Sequence, residues 1–209
     1  MSTSESITRE PLSPAATRII ETARQLFFAH GFSAVTTDKL CKEAAVSKAS
    51  LYKYFGDMSG VLSAVVRSQG DVIYEGVIPE PKSADEFWSS LVGYGVNLLT
   101  LLNQRNTIEF DRMLHEQARK HPDVSRLFYD AGYGRSHLDL TGMIEFGKQQ
   151  GFVTKRQASD LLADNLFCLW EGLAFTRTRL GLTDEPYPDP KSRVREGVKA
   201  LFENDCTPS

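Results

Sequence analysis

Little in this chain invites metal, redox or covalent chemistry. Three cysteines are present, Cys41, Cys168 and Cys206. They are odd in number and far apart, with no CxxC and no cysteine–histidine cluster, so neither a disulfide framework nor a zinc site has its ligands. Cys41 and Cys168 are expected as small core residues. The four histidines, His30, His115, His121 and His137, have no metal-ligand spacing. A Gly-rich phosphate loop and a Ser/His/Asp arrangement are both missing, so no metal or cofactor is expected and the chain is not expected to be an enzyme. No apolar run approaches the roughly 18 residues that a membrane span needs. The opening MSTSESITREPLSP lacks the apolar segment of a secretory signal. Residues 1–13 are expected to be a disordered tail and the protein to be cytoplasmic.

Strand-like alternation and internal repeats are missing as well. What is present is a succession of stretches with helical spacing, separated by Pro and Gly. The pattern predicts an all-α protein of about nine helices. After three short helices, one runs from Asp57 to about Ile78 and stops at Pro79-Glu80-Pro81. Ser83 caps the next, through Asn103. Asn106 to Lys120 is amphipathic through Ile108, Phe110, Met113, Leu114 and Ala118. Asp123 to Gly151 is interrupted at Gly132 and Gly134. Arg156 to Gly181 follows, and a last helix reaches about Asn204.

A hydrophobic content of 41% and a charged content of 24% suit a globular chain with a substantial core. The net charge of −3 excludes a non-specific DNA coater, which needs many phosphate contacts. The charge is unevenly placed, however. Residues 1–56 hold seven bases and five acids, a net +2, which leaves −5 for the rest. A mildly basic head on an acidic body suits site-specific DNA binding by a dimer.

The most informative stretch is Gly31 to Phe55. Thr36 and Thr37 precede Asp38, a start signal in which a Thr cap satisfies an orphan amide and an acid suits the helix dipole. Leu40, Cys41, Ala44 and Ala45 supply an apolar stripe. Val46 plugs the turn, and Ser47 caps a second helix, Lys48 to Tyr54. On a wheel, Leu51 and Phe55 fall together and face the core. Ala49, Ser50 and Lys53 fall opposite, and Tyr52 and Tyr54 lie on the shoulders. Small residues allow close approach to bases, while hydroxyls and Lys suit base edges and phosphates. This reads as a helix-turn-helix. Taken alone, this second helix is equally compatible with a surface helix carrying two half-buried tyrosines.

The wider pattern is more specific. Arg18-Ile19-Ile20, Ala23, Leu26-Phe27, Gly31-Phe32, Thr36, Leu40, Ala44, Val46-Ser47-Lys48, Leu51-Tyr52, Tyr54-Phe55 and Leu62 resemble the N-terminal domain of the TetR (tetracycline-repressor) family over roughly Thr17 to Val66. Further along, Arg112, Glu116, His121-Pro122-Asp123, Leu127-Phe128-Tyr129 and Gly132 resemble the C-terminal domain of AefR-type members. The resemblance implies a DNA-binding domain over residues 14–56, with Thr36, Thr37, Lys48, Ala49, Ser50, Tyr52, Lys53 and Tyr54 at the DNA. It implies an effector-binding and dimerisation domain over residues 57–206. It further implies a repressor that leaves a palindromic double-stranded operator when a small effector binds.

Two positions depart from the family pattern. The turn usually has Gly before Val-Ser, and here Ala45 stands there, at a cost of about 1 kcal/mol if φ is positive. The fourth helix usually opens with a Lys that touches phosphate, and here it opens with Met58, after Asp57 as N-cap.

In the body, Leu161 to Phe175 is apolar almost all round, which predicts burial on more than one face. By the resemblance, the last two helices form a homodimer interface. Candidates for lining an effector pocket are Trp88, Tyr94, Phe110, Met113, Tyr133, His137, Phe167, Trp170 and Glu171, among which plain core aromatics are to be expected. Glu171 is the most suggestive. An acid in an apolar run needs a partner, with pairing to Arg177 or Arg179 the expected arrangement and a ligand the alternative. An aromatic-rich cavity favours an apolar or planar effector. A second reading keeps the fold and DNA binding but replaces the effector with a protein partner. A third, an enzyme on a helical bundle, requires mutually hydrogen-bonded titratable groups in a pocket.

Overall fold

The computed structural model describes residues 12–117 and 122–203, apart from the side chains of Gln69, Met113, Glu116, Gln117 and Val124. The predicted tail falls almost wholly outside the described residues, as does Cys206. Among the described residues there are eleven α-helices, two short 3-10 turns and no strand. The chain divides into two compact units, Met1–Val65 and Val66–Ser209, with the division inside the fourth helix.

The first unit, the head, contains α1 (Pro14–His30), α2 (Thr37–Glu43), α3 (Lys48–Phe55) and the start of α4 (Met58–Gly70). Ser13 caps α1 by accepting from the Ala16 amide at 3.2 Å, and Pro14 occupies the first helical position, where its missing N–H costs nothing. Ile19, Ala23, Phe27, Leu40, Leu51, Val61 and Leu62 are buried together as the head's core. Phe27 meets Phe32 edge-on at 5.2 Å. Arg18 Nε donates to the Ala44 carbonyl at the end of α2, 3.4 Å away.

The second unit, the body, contains α5 (Ala84–Asn103), α6 (Arg105–Gln117), α7 (Pro122–Ala131), α8 (Tyr133–Gln149), α9 (Ser159–Glu171), α10 (Ala174–Arg179) and α11 (Pro190–Phe202). Its core is centred on Trp170, which is slotted between two glycines. A Cβ on Gly95 of α5 would come within 2.8 Å of the indole, and one on Gly197 of α11 within 2.7 Å. The indole N–H donates to the Val194 carbonyl at 3.1 Å, so this buried ring is satisfied in both its apolar and its polar parts.

The helix count exceeds the expected nine because two predicted stretches divide. Gly132 separates α7 from α8, and Gly172, at φ 53, ends α9 before α10. The helix expected to reach Ile78 ends at Gly70 and tightens into a 3-10 turn, Asp71–Tyr74. There the Asn97 side chain donates to the carbonyls of Ile73 and Glu75 at 3.1 and 2.8 Å, which replaces the helical partners those groups lose. On α9, Leu162, Ala163, Leu166 and Trp170 are buried, whereas Leu161, Cys168 and Leu169 are exposed. Cys168 is thus not the core residue expected from its apolar surroundings. It lies on the outward face of α9.

Candidate nucleic-acid interface and effector site

The caps read at the starts of α2 and α3 are both formed. Thr36 Oγ1 accepts from the Lys39 amide at 3.2 Å, and Ser47 Oγ accepts from the Ser50 amide at 3.1 Å. With α3 fixed at its start and Leu51 wholly buried beneath it, its other side chains have only one way to point. Ala49, Lys53, Tyr52 and Tyr54 are exposed, the two tyrosines at 51% and 40%. Phe55 is only part-buried. Ser50 is partly covered, and its hydroxyl pairs with that of Ser47 at 2.9 Å. Thr36 is exposed and Thr37 part-exposed beside it. Lys53 Nζ lies 5.6 Å from the Tyr54 ring centroid, a cation–π distance.

Lys48 is not a free cation. Its Nζ lies 2.6 Å from Asp38 Oδ1, and both side chains are more than half exposed. The carboxylate's hydrogen bond and charge hold the ammonium above its ordinary pKa. Sequence patterning assigned Asp38 to the helix dipole alone. The pairing depends on the two helix starts lying side by side, which spacing along one helix does not reveal.

The first departure from the family pattern has a structural consequence. Ala45 adopts φ 52, the one positive-φ non-glycine among the described residues, so the turn keeps the shape that glycine usually supplies and carries the strain. Asp57 caps α4 by accepting from the Gly60 amide at 2.8 Å. A Cβ on Gly60 would lie 1.8 Å from the Phe55 carbonyl oxygen, so only glycine fits this joint between α3 and α4. Sequence reading passed over Gly60. Its signal was its place one turn after Phe55-Gly56.

In the body, the candidate pocket residues separate into two groups. Trp170 and Tyr94 are core, each 1% exposed, with the Tyr94 hydroxyl donating to the Ser136 carbonyl. Trp88 packs edge-on against Phe87 at 4.8 Å and beside Phe202 at 5.4 Å, and its enclosed Nε1 has no acceptor among the described residues. His137 Nε2 lies 3.1 Å from the Asp160 carbonyl oxygen.

The second group converges. Rings run in sequence from Phe110 through Phe128 and Tyr133 to Phe167, with centroids 5.9, 5.9 and 6.0 Å apart. Tyr133 then leads into a polar cluster. Its hydroxyl donates to Asp111 Oδ1 at 3.1 Å, and Arg179 Nε lies 2.7 Å from Asp111 Oδ2. His115 Nδ1 lies 3.4 Å from the same oxygen. Arg112 Nε donates to the Arg179 carbonyl at 3.2 Å, and its Nη2 donates to that of Thr178. Burial and the Asp111 charge push the Tyr133 hydroxyl well above the usual phenol range, so it stays a donor. Met113 belongs to α6, but its side chain lies outside the described residues.

Glu171 is half-buried close to this cluster, and its carboxylate makes no hydrogen bond or ion pair among the described residues. Burial raises its pKa, attraction from Arg179 opposes the rise, and repulsion from Asp111 adds to it. The expected pairing with an arginine is therefore not found. The more deeply buried Asp111 holds the Arg179 guanidinium, since an unpaired charge at 3% exposure is the costlier one to leave. Asp111 and Arg179 were invisible as a pair because 68 positions separate them. The cluster does contain mutually bonded titratable groups; Asp111 Oδ1 is taken by Tyr133 and Oδ2 by Arg179.

Comparison with known proteins bears on both units. Residues 19–65 match the bacterial regulatory proteins of the tetR family, and residues 89–203 match the C-terminal domain of AefR-like transcriptional repressors. The uncharacterized HTH-type transcriptional regulator YvkB of Bacillus subtilis (strain 168) is 29% identical over 191 residues, 91% of this chain and 96% of that one. A TetR transcriptional regulator from Agrobacterium tumefaciens is similar in structure with a TM-score of 0.73 and 26% identity, over 92% of this chain and 95% of that one. The flavonoid-responsive regulator FrrA shares the fold with a TM-score of 0.69 at 24% identity, over 91% and 96% of the two chains.

Proposed function

This chain belongs to the TetR family of bacterial regulatory proteins and is a DNA-binding transcriptional regulator, and on that premise we propose that it is a cytoplasmic homodimeric repressor, released from a palindromic operator by a small apolar or aromatic effector. The proteins it matches are transcriptional regulators rather than enzymes, and no helix among the described residues is long and apolar enough to cross a membrane.

DNA contact is assigned to Thr36 and Thr37 at the start of α2 and to Lys48, Ala49, Ser50, Tyr52, Lys53 and Tyr54 of α3, and the exposed face of α3 above a buried Leu51 supports the α3 part. A dimer is needed because one head contacts too few bases to select an operator. The exposed leucines of α9 suit that interface better than the outward side of α11, which carries Lys191, Arg195, Glu196 and Lys199.

The effector reading rests on one observation, the half-buried carboxylate of Glu171, which among the described residues makes no hydrogen bond or ion pair, beside the aromatic series ending at Phe167. A buried acid of this kind is costly unless a bound molecule meets it. The matching effector has a planar or apolar body and a hydrogen-bond donor, and flavonoids are natural first probes because FrrA is described as responding to them. Effector and operator affinities must be reciprocally linked, and tenfold release requires about 1.4 kcal/mol of differential binding. Screening aromatic compounds for a raised melting temperature and for release of bound duplex DNA tests the reading. A compound that does both should lose potency in Glu171→Gln. If no such compound does either, regulation by a protein partner becomes the better account.

A further inference from the structure

We propose that Asp38 is an internal competitor for the operator backbone: its carboxylate occupies the Lys48 ammonium in the free protein, and a DNA phosphate has to take its place. This rests on the reading of α3 as the DNA-facing helix. Three observations carry it. Lys48 is the first residue of α3, on the face expected to meet DNA, and its Nζ is already 2.6 Å from an anion. That anion comes from the neighbouring helix α2, where Asp38 is the second residue, so the contact joins the two elements of the motif rather than two turns of one helix. Both side chains remain open to solvent, at 54% and 75%, so the pair can open at little cost.

An ammonium has three donors and can touch two acceptors, but two anions at one cation repel each other at close range. Phosphate binding therefore proceeds against Asp38. In a head with a net charge of only +2 over residues 1–56, one engaged lysine is a large share of the available attraction. Asp38 thus lowers affinity for all duplexes alike, because phosphate contacts carry no sequence information. That leaves a larger part of recognition to base contacts and makes release easier.

The test uses the full-length chain and two labelled duplexes, one recovered by the protein from a random-sequence pool and one a scrambled version of it. Affinities are measured by fluorescence anisotropy for the unaltered protein, Asp38→Asn, Lys48→Ala and the double variant. Asp38→Asn should tighten binding to both duplexes by about two- to fivefold, the range an exposed pair supports, and this gain should vanish when Lys48 is Ala. The same gain in both backgrounds would show general repulsion rather than competition, and weaker binding in Asp38→Asn would show that Asp38 positions Lys48 for DNA. Either result overturns the proposal. If Lys48→Ala changes nothing, the DNA-facing reading of α3 itself fails. If it weakens binding while Asp38→Asn is neutral, only this inference fails. Because Asp38 also sits in the first turn of α2, Asp38→Ser serves as a second uncharged variant, and melting curves verify that each variant is folded.

Discussion

Two ion pairs of nearly equal length divide the molecule. In the head, Lys48 and Asp38 are 2.6 Å apart and both exposed; in the body, Arg179 and Asp111 are 2.7 Å apart, with Asp111 only 3% exposed. Water competes with the first pair and salt screens it, so it holds little free energy and can be exchanged for another partner. The second is enclosed with Tyr133 and His115 around it, so losing one member strands a buried charge. The same geometry serves an exchangeable contact in one place and a fixed one in the other. Burial decides which.

Breaking each pair is the most direct way to break this comparison. Asp111→Ala should destabilise the protein by about 3 kcal/mol, the cost of removing one partner from a buried pair, whereas Asp38→Ala should cost under about 1 kcal/mol. Urea unfolding followed by circular dichroism measures both. Similar losses for the two would mean that burial does not govern them.

The head and the body also differ in how far their sequences could be read. In the head, the informative contacts are local. A cap joins Ser47 to Ser50, another joins Thr36 to Lys39, and a one-turn repeat puts Leu51 and Phe55 on one side, so spacing alone predicts which side chains face out. Even the strained turn at Ala45 was legible, because a glycine position filled by alanine has few conformational choices. In the body, helix starts such as Ser83 were legible for the same reason. The interruption at Gly132 was legible too, but the breaks at Gly70 and Gly172 were not, since an isolated glycine is tolerated within a helix. Burial was the least legible. Trp170 is core because Gly95 and Gly197 open a slot for it, and Asp111 is satisfied by residues 22 and 68 positions away. Pairings of that kind are set by tertiary packing and leave no periodic trace.

A smaller effect sharpens the contrast at the turn. Ala45→Gly removes a positive-φ strain of about 1 kcal/mol and introduces a more flexible unfolded chain that offsets about half of it. The expected gain of about 0.5 kcal/mol should register as a slightly higher melting temperature. A loss would mean that the turn is not strained at Ala45.

The smallest effect concerns Glu171. Its raised pKa means that folding disfavours the charged form, so the destabilising cost is present above the raised value and disappears as pH falls into the ordinary carboxylate range. Glu171→Gln should therefore raise the melting temperature at pH 7.5, with the increment shrinking as the pH is lowered towards 5. An increment that grows on acidification would mean that the carboxylate is held by a cation after all.

The central claim is that the head reads DNA through the exposed side of α3, and the salt dependence of binding tests it most directly. Duplex affinity measured over a range of salt concentrations gives a log–log slope that counts phosphate contacts. Lys48→Ala should weaken binding to specific and scrambled duplexes alike and flatten this slope by about one unit. An unchanged affinity and slope would contradict the assignment of α3 to the DNA.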